Sequence, residues 1–530
     1  MKIALFALNS SYVHTNLAVR CLQNALRAAG HIAEILEFAL KDRRSDILHA
    51  LYTADADLYG FSIYIWNVEE MQNTAAALKK LRPGAKIVFG GPEISFSGEE
   101  YLAAHPYIDH LIRGEGEAAL TALADGRTQE AIVDGSAYAG FAEAGILYDS
   151  APASSIVYYE SSRGCPYRCA FCLSGRKERG VPSVRAKSAS RTLEELLEFN
   201  RFPQVRIVKL VDRTFNFDRD RAKKIWRGLL DDRYRLHYHF EICAELLDEE
   251  SFALLARMPV GKIQLEIGVQ STNPATLAAC CRPSDTPRVI AAARRIHEMG
   301  NIHVHCDLIA GLPYESYARF GQSFDGLHGS CTMLQLGFLK LLHGSELRRR
   351  AREYGLVFLD TPPYQILSTP DLSYEELFRL ERISSLLERL ESSGKFPHTT
   401  RYIFANAPSP FHFYEAFSDE LGRDVSQFSQ NALFEALRRF FAQNPLITLP
   451  LCLDYLLTNT TPLPGALRDG ILRDAASEAY RLRIISDLRA HGEVCNAGGL
   501  FAFRHEKKPD TVYCVDRIRH ILYSEQTAPL

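Results

Sequence analysis

Short apolar runs alternate with amphipathic stretches over the first 125 positions of the chain. Lys2–Leu8 (KIALFAL) is apolar throughout after its lysine, the pattern of a strand buried on both faces. Asn16–Ala29 carries apolar residues at helical spacing and stops at Gly30, a residue suited to a helix C-terminus. Ile32–Phe38, Leu58–Ile65, Lys86–Phe89 and Ile108–Ile112 read as further strands, and Glu69–Leu81 as a helix. Strands alternating with helices build right-handed βαβ units, which predicts a doubly wound, Rossmann-like α/β sheet over residues 1–125. Ligands bind such sheets at the carboxyl ends of the strands, where the glycines and polar residues gather.

Residues 126–155, rich in Ala, Gly and Ser, read as a linker. The alternation resumes over 156–350, with strands expected at Ser155–Tyr159, Arg206–Val211, His237–Ile242, Lys262–Ile267, His303–Ile309 and Met333–Leu341. Helical stretches such as Thr192–Asn200, Arg221–Leu230 and Arg288–Met299 separate them. These βα repeats predict a partial (β/α)6 barrel, open on one side. Over 351–530 the pattern is mainly α-helical (Tyr374–Ser393, Phe411–Ala416, Ser426–Gln443, Gly465–His491), with a strand-like end at Leu500–Tyr523.

Composition narrows the class. The 530 residues are 47% hydrophobic, 24% charged and 10% aromatic, enough for a large core and contrary to disorder as the main state. A net charge of −3 argues against a protein that coats nucleic acid. The arginine runs at Arg176–Arg179 and Arg348–Arg352 have acidic neighbours and read as solvated helix faces; nucleic acid is not an expected partner. The opening apolar run is too short for a signal or a membrane span. The expected setting is cytoplasmic, with no membrane partner. In that setting twelve cysteines point to buried thiols and a metal site rather than disulfides.

Three cysteines cluster in Ser162-Arg163-Gly164-Cys165-Pro166-Tyr167-Arg168-Cys169-Ala170-Phe171-Cys172, just after the first barrel strand. Three thiolates at this spacing can serve one centre. Iron–sulfur clusters take Cys thiolates, usually four; structural zinc also takes four ligands. The next candidates for a fourth, His237, His239 and Cys243, lie far along the chain. Three ligands on a four-iron cube leave one iron open to a small molecule; a zinc loop with a distant fourth ligand is the other reading. Cys165, Cys169 and Cys172, with Phe171 before the last, resemble the signature of the radical S-adenosylmethionine (SAM) superfamily. The resemblance implies a [4Fe–4S] cluster whose open iron chelates SAM. It also implies reductive cleavage to a 5′-deoxyadenosyl radical, and a flavodoxin- or ferredoxin-type electron donor. It places Phe171 beside the adenine and Asp212, with Arg213, near the SAM amino group. Glu241, Glu266 and Gln270 follow as polar contacts. Ile309, Gly311 and Leu342 would line the adenine, with Gly311 allowing a close backbone approach.

The N-terminal sheet carries a second resemblance. Ser62 ends the third strand and Gly90-Gly91 the fourth, an arrangement similar to cobalamin-binding domains, where such residues admit the nucleotide tail. The chain has no Gly-x-Gly-x-x-Gly or P-loop, which weakens a nucleotide reading. Relatives that ligate cobalt carry Asp-x-His-x-x-Gly after the first strand. Here His14 takes the histidine place, but Tyr12 stands for the aspartate and Leu17 for the glycine. A ligating histidine needs an acceptor behind it, so the expectation is cobalamin without a histidine ligand. Asn9, Ser10, Ser11, Tyr12, His14, Tyr64, Pro92, Glu93, Gly114, Glu115 and Gly116 would surround it.

A cobalamin domain ahead of a radical SAM barrel is the order of the cobalamin-dependent radical SAM enzymes, here with an uncharacterised helical extension. That implies methylcobalamin-mediated methyl transfer to an unactivated centre of a small molecule or peptide. Ring formation or rearrangement without methylation is the alternative, and a cobalamin or redox sensor the third.

Overall fold

The computed structural model describes residues 1–138, 148, 152, 154–175, 183–459, 461–491, 499–506 and 508–526; Arg176–Arg179 lies outside them. The N-terminal strands are β1 (Lys2–Asn9), β2 (Ile32–Ala39), β3 (Leu58–Ser62), β4 (Lys86–Gly90), β5 (His110–Arg113) and β6 (Ile132–Asp134). They form one parallel sheet in the order β2-β1-β3-β4-β5-β6. Ala4, Phe6 and Leu8 enter one apolar core, while Ile3, Leu5 and Ala7 enter the other with Val19, Leu26 and Leu120. That two-sided burial is why β1 is continuously apolar. The strand order reverses at β1, so the loops after β1 and β3 diverge and open a crevice at the carboxyl edge.

Two readings change here. β6 falls within the stretch expected to be linker and pairs with β5 through Leu111–Ile132 and Arg113–Asp134; a three-residue strand is too short for a periodic signal. β3 stops at Ser62 rather than Ile65 because buried Asn67 turns the chain. Its amide donates to Ser62 O at 3.2 Å and its carbonyl oxygen accepts from Tyr64 N at 2.8 Å.

The second sheet begins with β7 (Ile156–Tyr159). β8 (Ser162–Gly164) and β9 (Val184–Ala186) form a short antiparallel ribbon, followed by β10 (Ile207–Leu210), β11 (His237–Ile242), β12 (Ile263–Gln270), β13 (His303–Ala310) and β14 (Met333–Phe338). The parallel sheet has the order β14-β13-β12-β11-β10-β7, and its end strands do not pair with each other. This is the expected open (β/α)6 barrel. Along β12 and β13, Ile263, Leu265, Ile267, Val304, Cys306 and Leu308 are buried, while Gln264, Glu266, His305 and Asp307 between them remain partly accessible. The inner face of the barrel is therefore polar.

The chain divides into two compact units, residues 1–323 with 329–373, and 324–328 with 374–530. The hairpin of β15 (Val357–Phe358) and β16 (Ile366–Ser368) belongs with the barrel. Ile366 N donates to Leu339 O and Leu341 N to Tyr364 O, each at 2.9 Å. These main-chain bonds tie the hairpin to the barrel, and the first compact unit runs on to residue 373. In the second unit, buried Asp454 accepts the N–H groups of His398 and Thr399 at the start of the helix Pro397–Asn406. The strand-like end is an antiparallel sheet, β17 (Ile471–Leu472), β18 (Leu500–His505), β19 (Lys508–Asp516) and β20 (Ile521–Gln526). Helix Ala475–Ala490 covers it through Tyr480, Ile484 and Leu488. Among the described residues, no helix is long and apolar enough to cross a membrane.

Candidate functional site

A cavity of about 700 Å³ opens at the crevice of the N-terminal sheet. Its lining takes Gly60, Ser62, Val88 and Gly90 from the strands and Ala18, Cys21, Leu22 and Leu120 from the helices, with His14, Tyr64, Trp66 and Tyr158 beside them. Asn9, Ser10, Pro92, Gly114, Glu115 and Gly116 also line it. Strand residues on one side and helix residues on the other make this part of the cavity a slot open to a ligand's tail. Small residues make the slot: a Cβ on Gly90 would meet nothing closer than Ile112 at 3.7 Å. Gly91 is constrained differently. Its φ is +119°, and a Cβ there would come 2.4 Å from Ile63 O, so only glycine lets the two loops cross.

Three expected contacts turn elsewhere. Tyr12 is 62% exposed and donates its hydroxyl to Asp42 at 2.6 Å. Ser11 faces its own turn, its carbonyl accepting from His14 N. Glu93 is 8% exposed and accepts from the Tyr364 hydroxyl, with His343 Nε2 3.9 Å away. Burial raises its pKa in spite of that hydrogen bond. It anchors the loop after β4 rather than facing the cavity.

His14 has the partner that its own loop lacks. Its Nδ1 lies 2.7 Å from the Tyr158 hydroxyl, contributed by β7 of the barrel. The sequence offered no sign of this pairing across 144 positions.

The cysteine loop is pinned by its backbone. Ala170 N donates to Cys280 O, and Leu347 N to Ala170 O, each at 2.8 Å. Gly175 closes it; a Cβ there would fall 1.7 Å from Tyr167 O. Cys165, Cys169 and Cys172 are all free and half-buried. Each sulfur has a polar neighbour: Thr214 Oγ1 at 3.4 Å from Cys165, Arg282 Nη1 at 3.3 Å from Cys169 and Ser174 N at 3.4 Å from Cys172. Burial raises the Cys169 thiol pKa while the Arg282 charge opposes it. Among the described residues no three Cys, His, Asp or Glu side chains close on a single ion. The three half-buried thiols on one short loop, each beside a polar neighbour, are the type of donor set a cluster takes, one thiolate per iron.

Cys169 and Cys172 line a second cavity, with Gly164, Arg168, Val211, Arg213 and Cys281 on its walls. Of the residues expected to hold SAM, Arg213 faces both cavities; among the described residues its ion-pair partner is Glu241, at a long 3.7 Å. Asp212 does not reach either. It is wholly buried and spent on Ser161 N, Ser161 Oγ and Ser162 Oγ at 2.8, 2.5 and 2.6 Å. Gly311 has φ +86°, and a Cβ there would stand 2.6 Å from Ile366, so the close approach it allows is that of the hairpin side chain. Glu241, Glu266 and Asp307 are on the polar inner face. Glu266 lies 3.0 Å from His239 and 3.7 Å from Lys209, and the His239 hydrogen bond holds its pKa down to about 2. Gln270 sits in a bulge at φ +71°. Ile309 belongs to β13, Phe171 and Leu342 are half-buried, and none of these three lines either cavity.

The two cavities share Pro92, Ser95, Gly114, Glu115, Glu160, Arg163, Val211 and Arg213. Their common wall is an ion cluster. Arg163 reaches Glu117 and Glu160 at 2.7 Å and Glu115 at 3.2 Å, and Arg185 closes on Glu115. Burial alone would raise Glu115, but Arg185 and Arg163 hold its pKa below the usual carboxylate range. For Glu160 burial wins and the pKa rises. Glu160, Arg185 and Cys21, whose thiol burial pushes to about 12, were not singled out from sequence, whereas Glu117 lies in the 114–117 segment expected around cobalamin and lines the first cavity. Cys21 lies in an ordinary helix pattern, Arg185 in the short strand β9 and Glu160 just past the end of β7.

Comparison with known proteins bears on this geometry. Residues 3–124 match the family described as B12 binding domain and residues 159–326 the Radical SAM superfamily. The chain is 27% identical over 316 residues to 2-(S-pantetheinyl)-carbapenam-3-carboxylate methyltransferase of Streptantibioticus cattleyicolor, covering 52% of this chain and 45% of that protein. It is 24% identical to the cobalamin-dependent radical SAM methyltransferase TokK of Streptomyces tokunonensis, covering 54% and 47%. The matches thus span about half the length of these curated relatives. Among solved structures, the radical SAM methyltransferase TsrM of Kitasatospora setae, with cobalamin and a [4Fe–4S] cluster bound, superposes with a TM-score of 0.56 at 17% identity, covering 68% of this chain and 82% of that one. The chain is a radical SAM protein with an N-terminal cobalamin-binding domain, and its cofactors are cobalamin, SAM and a [4Fe–4S] cluster. Within that class, residues 352–482 match the family described as Protein of unknown function (DUF4080), which marks its C-terminal region.

Proposed function

We propose that the protein transfers a methyl group from cobalamin to an unactivated centre, most simply carbon, of a small molecule or peptide. The observation that carries this reading is the shared wall. One cavity follows the cobalamin-type crevice, the other faces Cys169 and Cys172, and Glu160, Arg163, Val211 and Arg213 border both. A substrate at this junction lies within reach of both cofactors. When bound, the cluster supplies the electron that cleaves SAM, and cobalamin supplies a transferable methyl group. The chain's own residues do the rest. Cys165, Cys169 and Cys172 would hold the cluster. Ser62, Gly90 and Gly91 would flank the cobalamin tail, and Tyr64 stacked on Trp66 at 4.4 Å would shield the crevice from water. Arg213 has donors to spare and would orient a polar group of the substrate.

The test needs no substrate. Anaerobically reconstituted protein is given cobalamin, a strong reductant and SAM labelled in its methyl group. Label on protein-bound cobalamin, with S-adenosylhomocysteine released, is the expected result. Full cofactor loading without either product would overturn methyl transfer and leave ring formation or rearrangement as the reading. We further propose a flavodoxin- or ferredoxin-type protein as the electron donor.

A further inference from the structure

Arg282 is absent from the expectations drawn from sequence, and its environment is unusual for a half-buried cation. It lies 113 positions from Cys169, yet its Nη1 donates to Cys169 Sγ at 3.3 Å. Its Nη2 donates to the carbonyl of Gly268 in β12. Its Nε–H is buried without a partner among the described residues. No carboxylate among the described residues forms an ion pair with it. A guanidinium withdrawn from water requires a compensating anion; the Asp307 carboxylate is near enough to feel its charge, but the group in hydrogen-bond contact is the sulfur of Cys169, which a cluster would hold as thiolate.

The backbone is bent to achieve this. Cys281, immediately before it, has φ +50°, and Gln270, in the bulge that turns Gly268 O toward it, has φ +71°. Such conformations cost about 1–2 kcal/mol each in L-residues. Cys280 O, one residue further back, accepts from Ala170 N at 2.8 Å. The 280–282 segment thus grips the residue after Cys169 by its backbone and Cys169 itself by its sulfur.

We propose that Arg282 tunes the iron–sulfur cluster, its charge and hydrogen bond at Cys169 favouring the reduced form and so setting the potential at which the electron is accepted. The inference rests on the cluster assignment. Reduction adds one negative charge, and a cationic donor at a cluster sulfur is worth more after that addition than before it. Arg282 is a positioning and tuning residue; it is not assigned a contact with substrate.

The experiment compares the full-length reconstituted protein with R282K, R282Q and R282M. Iron content is measured first, then the midpoint potential by dye-mediated titration read from the EPR signal of the reduced cluster, without SAM. R282M should be about tenfold harder to reduce, about 59 mV for a one-electron couple. R282K should stay closest to wild type, and R282Q should fall between. Unchanged potentials in R282Q and R282M at full iron content would overturn the proposal. So would loss of iron in every variant, which would make Arg282 a structural clamp only. Wild-type protein that takes up no iron would instead refute the cluster assignment.

Discussion

Replacing Asp307 by asparagine should stabilise the cofactor-free protein at alkaline pH. Asp307 lies on the inner face of β13. It has no hydrogen-bond partner among the described residues, and it shares that face with Glu266 and Glu241. Burial first, and these two carboxylates second, raise its pKa from 3.8 to about 7. The folded state therefore holds this proton more tightly than the unfolded state does. Stability is fully present below pH 3.8 and is lost as pH rises toward 7. At 1.36 kcal/mol per pH unit, the gap corresponds to an ionisation penalty of about 4 kcal/mol above pH 7. Asparagine removes the penalty and keeps the shape. Urea unfolding of wild type and Asp307→Asn between pH 4 and 8.5 measures it: the variant should gain on wild type as pH rises, approaching that figure at the alkaline end. A constant difference across the range would refute the reasoning and place the Asp307 carboxylate in contact with water or a cation.

Three further outcomes are expected. Gly175→Ala should keep the far-ultraviolet circular dichroism of the wild type but lose most of its iron on reconstitution, because the new Cβ would meet Tyr167 O at 1.7 Å; wild-type iron content would show that the loop can relax. Tyr364→Phe leaves buried Glu93 without its hydroxyl donor and should destabilise the first unit by about 1–3 kcal/mol, read as an earlier urea transition. Acidification should destabilise the protein through two groups. Glu266, held down to about 2, loses its contribution as pH falls from 4.5 to 2; His305, lowered to about 4 mainly by burial, loses its contribution as pH falls from 6.5 to 4. Glu266→Gln should flatten the lower of these limbs.

The sequence disclosed the layered architecture because burial leaves a periodic trace. β1 shows unbroken apolarity between two cores, while β12 and β13 alternate between core and polar inner face. The three cysteines were visible because their spacing is local. The residues misplaced share one property: sequence locates a strand end but not the direction of the side chain there. Asp212 turns inward to two serines, Glu93 turns to Tyr364, and Gly311 leaves room for Ile366. The residues overlooked are those whose meaning depends on distant chain, such as Tyr158 for His14 and Arg282 for Cys169. Neither carries a mark in its neighbourhood: the first pairing is made only when the barrel meets the N-terminal sheet, the second only when the barrel's own strands assemble.

The Arg163 ion cluster bears on modularity. Glu115 and Glu117 come from the N-terminal sheet; Glu160, Arg163 and Arg185 come from the barrel. Cutting the chain between the two would leave a surplus of negative charge on one fragment and of positive charge on the other, at surfaces that are otherwise largely withdrawn from water. The two halves are thus poor candidates for exchange with unmatched counterparts. A chimaera would have to carry both sides of the cluster, so the cobalamin-binding module and the barrel that follows it should be inherited as a matched pair.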